Sequence, residues 1–399
     1  MLCKYPSFKG EYWGGVATHV KSLSNCIENY VNEDFEFYII SFGNKKDFKN
    51  ILEKNLILIN INWYYYIFPL LPLLKLFKEV NRIHPDIIHI QGTNISPYSL
   101  YSLLNIGSII NKSKIIFTVH NIYHLELISL GLLKRDSIIF KIFFNLEKLF
   151  LRQASHVIVV NTTLKRYLIN NLSMPENNVS VIYNGVDVNV FNPMIDGNNI
   201  RNKLKIEKND FILLFAKKFH ANNGPQYLLG SLPLILDTFA NVKIILAGDG
   251  PLRNELITIT KELGIKENVF FTGIISYEEI KYYIAASDVV VIPSISYSGF
   301  EEGLPNIMLE GMAIGKPIIA SNIGGLREIM SDHDIGVLVE EKDAKSIAKA
   351  VISLITDPGY KNYLSKNARD FVCQNLSWTQ IAEKTTNIYH HIFESSKKM

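Results

Sequence analysis

The strongest constraint on the fold is a rhythm. Short apolar runs alternate with stretches of helical period, and the alternation stops once and starts again. In the first part, runs at 35–41, 56–61, 85–91, 114–120, 156–160 and 179–183 read as strands. Between and around them, 16–30, 73–83, 96–110, 138–152 and 163–170 carry apolar residues at helical spacing, such as Val16, Val20, Leu23 and Ile27. A turn at Asn184-Gly185-Val186-Asp187 closes this series, and residues 188–209, with Asn192-Pro193 and Asp196-Gly197, read as an interdomain linker. Strands then resume at 211–216, 243–247, 269–272, 289–293, 316–320 and 336–339. Helices are expected at 224–238, 252–263, 277–286, 326–330, 344–356, 360–375 and 378–395.

Strands that alternate with helices form parallel βαβ units with right-handed crossovers. The expected fold class is therefore α/β, with two Rossmann-like, doubly wound domains facing across a cleft. A chain of 399 residues suits two domains. The boundaries fall at 1–190, completed by the C-terminal helix 378–399, and at 200–377. The first ten residues are short for a complete strand, so the expectation is an N-terminus truncated inside or just before the first strand.

Charge and cysteine usage narrow the partners. A net charge of +3 is too small to argue for nucleic acid. Residues 1–190 carry 19 Lys and Arg against 14 Asp and Glu, and the remainder 22 against 24. That modestly basic front half suits an anionic membrane surface or a phosphorylated acceptor. Cys3, Cys26 and Cys373 are far apart and have no metal-ligand spacing, so free thiols in a reducing, cytoplasmic compartment are expected. Lys4 and Pro6 interrupt any apolar leader. The uncharged stretch 56–74 contains Asn60, Asn62, Pro69 and Pro72. It reads as a strand, an aromatic loop at 63–68 and a helix starting near the prolines, not as a membrane span.

In doubly wound sheets, ligands bind beyond the carboxyl ends of the strands. The richest such place is the stretch from Ser298 to Ser321. It sets Glu302 and Glu310 eight positions apart, with Gly303-Leu304-Pro305-Asn306 between them. A loop feeding a helix N-terminus offers unpaired N–H groups to a phosphate. Glu310, about two turns into that helix, is placed to accept from hydroxyls. Other polar residues after strands are Gly14-Gly15, His120, and Lys217-Lys218 with Asn223 and Gly224 beyond. His120 is a titratable group at a strand end, whereas His89 lies within a buried strand and reads as structural. Gly248-Asp249-Gly250 lacks a full dinucleotide fingerprint. Asp332-His333-Asp334 follows a helix and reads as a solvated turn; no metal is expected, nor any other cofactor.

Taken together these motifs resemble the group 1 (family 4) glycosyltransferases, retaining enzymes of GT-B fold that use nucleotide sugars. The resemblance runs from about Gly14 to the last helix. Its most specific part is Glu302 to Glu310 in the setting Glu-Gly-Leu-Pro-Asn-Ile-Met-Leu-Glu. It is supported by Gly14-Gly15, Pro85-Asp86-Ile87-Ile88-His89, Thr118-Val119-His120, the run 181–187, Gly248-Asp249-Gly250-Pro251 and Phe271-Thr272-Gly273.

The resemblance implies roles. Glu310 would hold the nucleotide ribose, the amides of Gly303, Leu304, Pro305 and Asn306 the diphosphate or sugar, and Glu302 the donor sugar. Gly15 would allow close approach to the donor, and His120 would lie near the reacting centre. Lys218 falls where an arginine is usual, Asn223 where a lysine is usual, and Gly311 where an alanine is usual. The implied activity is metal-independent hexosyl transfer from a UDP- or GDP-sugar to a glycan or lipid-linked acceptor, in polysaccharide or glycoconjugate synthesis. A helix at 138–152 with Lys141, Lys148 and Arg152, and the aromatic loop, would give a peripheral contact with an anionic membrane. Two other readings stay open: a nucleotide-sugar 2-epimerase of the same fold, and a non-catalytic nucleotide-sugar-binding protein.

Overall fold

The computed structural model describes residues 2–3, 15–30, 36, 38–43, 56–60, 70–92, 113–129, 132–135, 137–296 and 301–397. The helix expected at 96–110, the aromatic loop at 63–68, Gly14 and Ser298 lie outside the described residues. The chain divides into two units, Met1–Asn184 with Thr379–Met399, and Gly185–Trp378.

Among the described residues the first unit is built on a seven-stranded sheet of β1 (Leu2–Cys3), β2 (Ile39–Gly43), β3 (Leu56–Asn60), β4 (Ile87–Gln91), β5 (Lys114–Val119), β6 (His156–Val159) and β7 (Val179–Val181). The order is β3-β2-β1-β4-β5-β6-β7 and every pair is parallel. Strands covered by helices on both faces are apolar nearly throughout, which is why they read as continuous runs rather than alternating ones. Ile88, Ile90, Ile115, Phe117, Val157 and Val159 form one core with Leu76, Val80, Phe150, Leu151 and Leu168 from the helices. Local sequence sets the helix starts. Asn161 caps the Thr162–Leu172 helix by accepting from the Leu164 amide at 2.7 Å. Ser137 likewise caps Ile138–Arg152 through the Phe140 amide at 3.1 Å.

The second unit repeats the plan with six parallel strands: β8 (Phe211–Ala216), β9 (Val242–Ala247), β10 (Val269–Gly273), β11 (Val289–Ile292), β12 (Ile318–Ser321) and β13 (Gly336–Val339). Their order is β10-β9-β8-β11-β12-β13. Residues 185–209 pack onto this unit. Arg201, in the short Asn198–Lys203 helix, donates to the Asp288 carboxylate at 3.1 Å and to the Ala286 carbonyl at 3.0 Å. Asp288 also accepts from the Ile212 amide at 2.9 Å, which pins β8 beside β11. The last helix, Trp378–Lys397, belongs to the first unit from Thr379 onward and buries Ile381, Tyr389 and Ile392.

Strand order reverses between β1 and β4 in one sheet and between β8 and β11 in the other. Such reversals open a crevice at the carboxyl ends, where adjacent connections leave in opposite directions. Among the described residues, no helix is long and apolar enough to cross a membrane.

Candidate active site

In the second unit the reversal point is occupied. Lys217 follows β8 and Ser294 lies just beyond β11. The Lys217 ammonium donates to Ser294 Oγ at 3.0 Å and to Glu302 Oε2 at 2.5 Å. Lys217 and Glu302 expose only 12% and 22% of their side chains, so this ion pair is screened far less than a surface pair.

The loop that delivers Glu302 is held by backbone. The Glu302 carbonyl accepts from the Gly325 amide at 2.8 Å. A Cβ at Gly324, whose φ is +45°, would stand 2.3 Å from that carbonyl oxygen, so only glycine fits under the loop.

Residues 301–305 then lead into the nine-residue helix Asn306–Ile314, whose N-terminus has no side-chain cap. Its first amides and its dipole make an anion seat. Pro305 has no N–H, so the donors of this turn are the amides of Gly303, Leu304 and Asn306. The helix begins only at Asn306, so Glu310 sits about one turn in rather than the two turns expected from its spacing to Glu302, and it is 8% exposed. Burial pushes its carboxyl up to about 7. Among the described residues it has no hydrogen-bond or ion-pair partner. A buried carboxyl without a partner is costly, and hydroxyl donors supplied by a ligand would satisfy it.

Lys218 and Asn223 occupy the turn after β8. Lys218 is exposed, and its carbonyl accepts from Asn223 Nδ2 at 2.8 Å. Asn223 therefore closes the turn that ends in Gly224, and its amide is engaged with backbone. It is Lys217, not Lys218, whose ammonium meets Glu302. Sequence reading singled out Lys218 of the two, because the direction in which each side chain leaves the strand end is fixed by the turn and cannot be read from the sequence. Gly224 itself has φ +71°, and a Cβ there would lie 1.8 Å from the Pro293 carbonyl oxygen.

The first unit gathers histidines at its own strand ends. Gly15 opens the Gly15–Tyr30 helix. One turn later His19 is buried, and its Nδ1 lies 3.0 Å from Asn184 Oδ1. Its ring packs edge-on against His120, with centroids 4.7 Å apart. His120 follows β5, and its Nε2 lies 2.9 Å from Gln91 Oε1 at the end of β4. His89 stands two residues before Gln91, with Nε2 2.7 Å from Thr118 Oγ1 and Nδ1 2.6 Å from Tyr389 OH. Burial lowers His19 to about 4 and holds His89 and His120 well below the usual imidazole range. All three rings are neutral at pH 7. Sequence reading singled out His120 but gave no role to His19, Asn184 or Tyr389, which the structure brings into the same network of side chains. The available signal for His19 was its place one turn after the Gly14-Gly15 pair. Nothing in the local pattern connects Tyr389 to His89, 300 positions away. His124 is committed elsewhere, bonded to Glu147 at 2.7 Å and to Tyr167 at 2.8 Å.

Comparison with known proteins matches this two-part construction. The signature described as Glycosyltransferase Family 4 matches residues 13–190, and that of Glycosyl transferases group 1 matches residues 196–371. The chain belongs to the group 1, family 4 glycosyltransferases. An uncharacterised glycosyltransferase of Methanocaldococcus jannaschii is 33% identical over 262 residues, 65% of each chain. An Escherichia coli UDP-Gal:α-D-GlcNAc-diphosphoundecaprenol α-1,3-galactosyltransferase is 27% identical over 59% of this chain and 60% of its own. Among solved structures, Anabaena HepE in complex with UDP superposes with a TM-score of 0.75, covering 98% of this chain and 99% of HepE. At 19% identity that likeness speaks for the fold, which is GT-B.

Proposed function

We propose that this glycosyltransferase is a retaining, metal-independent hexosyltransferase. It moves a sugar from a UDP- or GDP-sugar to a glycan or lipid-linked acceptor in polysaccharide or glycoconjugate assembly. The observation that carries the reading is Glu310, a buried carboxyl with no hydrogen-bond or ion-pair partner among the described residues, about one turn behind an uncapped helix N-terminus. Glu310 accepts from the ribose hydroxyls, while the amides of Gly303, Leu304 and Asn306 and the ammonium of Lys217 meet the diphosphate. Lys217 thus supplies the cation that Asn223 lacks, and this favours transfer over binding alone. When it turns to the phosphate, Glu302 is released to accept from hydroxyls of the donor sugar.

In the transfer, the bond from the sugar's anomeric carbon to the diphosphate breaks and one to the acceptor oxygen forms on the same face. The acceptor's proton passes to the departing phosphate oxygen. His120 contacts the reacting sugar as a neutral imidazole. A lipid-linked acceptor is supported by the E. coli relative, whose name specifies a diphosphoundecaprenol substrate. It is also supported by the Ile138–Arg152 helix, on which Ile138, Ile139, Ile142 and Leu149 are exposed beside Lys134, Arg135 and Lys141. Such a face suits an anionic membrane surface.

Thermal stabilisation by a panel of UDP-, GDP- and ADP-sugars tests the donor, since a ligand bound only by the folded chain raises the melting temperature. Hits are then assayed for transfer with and without chelator. Stabilisation by none of them would overturn the donor assignment, loss of transfer in chelator the metal-free mechanism, and release of a free epimerised donor the transferase reading itself.

A further inference from the structure

Two histidines of the first unit, His120 and His89, belong to one hydrogen-bond chain that ends on the C-terminal helix. Its members are His120, Gln91, His89 and Tyr389, with Thr118 alongside. The successive separations are 2.9 Å from His120 Nε2 to Gln91 Oε1, 3.3 Å from Gln91 Nε2 to His89 Nε2, and 2.6 Å from His89 Nδ1 to Tyr389 OH.

A carboxamide has one accepting end and one donating end, and a neutral imidazole has one nitrogen of each kind. Gln91 touches an Nε2 of each ring, so it must accept from one and donate to the other. The two histidines therefore carry opposite tautomers. With the carboxamide oxygen on His120, that ring is protonated at Nε2 and its Nδ1 is an acceptor. His89 then accepts at Nε2, from Gln91 and from the Thr118 hydroxyl, and donates from Nδ1 to Tyr389.

We propose that Tyr389, through His89 and Gln91, sets which nitrogen of His120 carries the proton. Tyr389 is a positioning residue three links from the ring it controls. Removing its hydroxyl leaves His89 Nδ1–H buried with no acceptor. An orphaned buried N–H is rarer and costlier than an orphaned acceptor lone pair. His89 therefore moves its proton to Nε2, where Thr118 and Gln91 can accept. The Gln91 carboxamide turns over, and its NH2 now faces His120. His120 must accept at Nε2 and carry its proton at Nδ1. The nitrogen left for a substrate changes from acceptor to donor, a consequence that rests on the proposed contact of His120 with the reacting sugar. The tautomer switch itself does not.

The test uses the full chain labelled with 15N-histidine, with the rings assigned by single substitutions, in long-range 1H–15N correlation spectra at pH 7. In the unmodified protein His120 shows the Nε2–H pattern and His89 the Nδ1–H pattern; in Tyr389→Phe both patterns exchange. Matching tautomers in the unmodified protein, or an unchanged His120 in Tyr389→Phe, overturns the proposal. Should Tyr389→Phe fail to fold, Gln91→Glu decides. A carboxylate accepts from both rings, so both become Nε2–H with Tyr389 now donating to His89. A His89 that stays Nδ1–H in that variant overturns the chain. Loss of transfer activity without a change of tautomer counts against it as well, since that is what damage to the fold alone would produce.

Discussion

Replacing Glu310 with glutamine should stabilise the protein at alkaline pH and leave its stability at acid pH unchanged. The carboxyl is buried, and its pKa stands at about 7 against an ordinary 4.5. In the unfolded chain it ionises near 4.5, so between 4.5 and 7 the folded state keeps a proton that the unfolded state has lost. Stability therefore falls as pH rises through that window and is constant above it. At about 1.4 kcal/mol per pH unit, the charge burdens the folded state by roughly 3 kcal/mol at pH 8 and by almost nothing below pH 4.5. Glu310→Gln removes that burden while keeping the shape. For a unit of this size the gain corresponds to roughly 5–10 °C in melting temperature at pH 8. Calorimetry of both proteins at pH 5 and pH 8 measures it. The same substitution should weaken nucleotide-sugar binding by about ten- to a hundredfold, because a hydrogen bond to a charged acceptor is replaced by one to a neutral amide. An equal shift at both pH values would show that the carboxyl is not held protonated by burial, and the reasoning would fail.

Lys217→Met should reduce kcat/KM for the donor by about a hundredfold, through loss of a poorly screened cation near the proposed leaving group, with Lys218→Met costing much less; steady-state kinetics compares the two. Gly224→Ala should destabilise the second unit by about 2 kcal/mol or more, since φ there is +71° and a Cβ would meet the Pro293 carbonyl oxygen; urea titration reads it. In liposome flotation the chain should rise with anionic vesicles and release them in high salt. Ile138→Asp with Ile142→Asp should abolish flotation, and equal binding to zwitterionic vesicles would remove the electrostatic part of the argument.

The fold was legible because parallel strands covered on both faces must be apolar throughout, and β8, β11 and β12 stand out as Phe211–Ala216, Val289–Ile292 and Ile318–Ser321 between helical stretches. The loop and helix that carry Glu302 and Glu310 were legible for a different reason. Its carboxylates, its turn and its helix are contiguous from 302 to 314, so spacing alone places them. What spacing could not supply is contact between distant segments. Lys217 and Glu302 are 85 positions apart, and His19 and Asn184 are 165 apart. The first pair is created by strand order, which brings β8 beside β11 although β9 and β10 intervene in sequence; the second joins the first helix to the turn after β7. Side-chain direction at a strand end was equally hidden: Lys217 and Lys218 are the same residue type in adjacent positions, and it is Lys217 whose ammonium meets Glu302.

On the proposed reading, the turn after β8 accounts for Asn223, where the family resemblance leads one to expect a lysine. A diphosphate needs positive charge that is desolvated and close, not a particular position in the sequence. Asn223 spends its amide on the Lys218 carbonyl, and the turn so formed leaves Lys217 at the reversal point of the sheet, 3.0 Å from Ser294 Oγ and paired with Glu302. In the absence of donor this pairing offsets the cost of holding an ammonium and a carboxylate out of water beside an apolar sheet end. On the proposed reading, Lys217 would exchange one anion for another when a diphosphate arrives, with little change in its own desolvation, and Glu302 would become an acceptor for sugar hydroxyls in the same movement. A lysine at 223 would add charge but would leave the Lys218 carbonyl without the Asn223 bond. The double variant Lys217→Met with Asn223→Lys separates the two requirements. If charge near the diphosphate is all the site needs, activity returns toward that of the unmodified protein; if the turn is needed as well, it stays at the level of Lys217→Met.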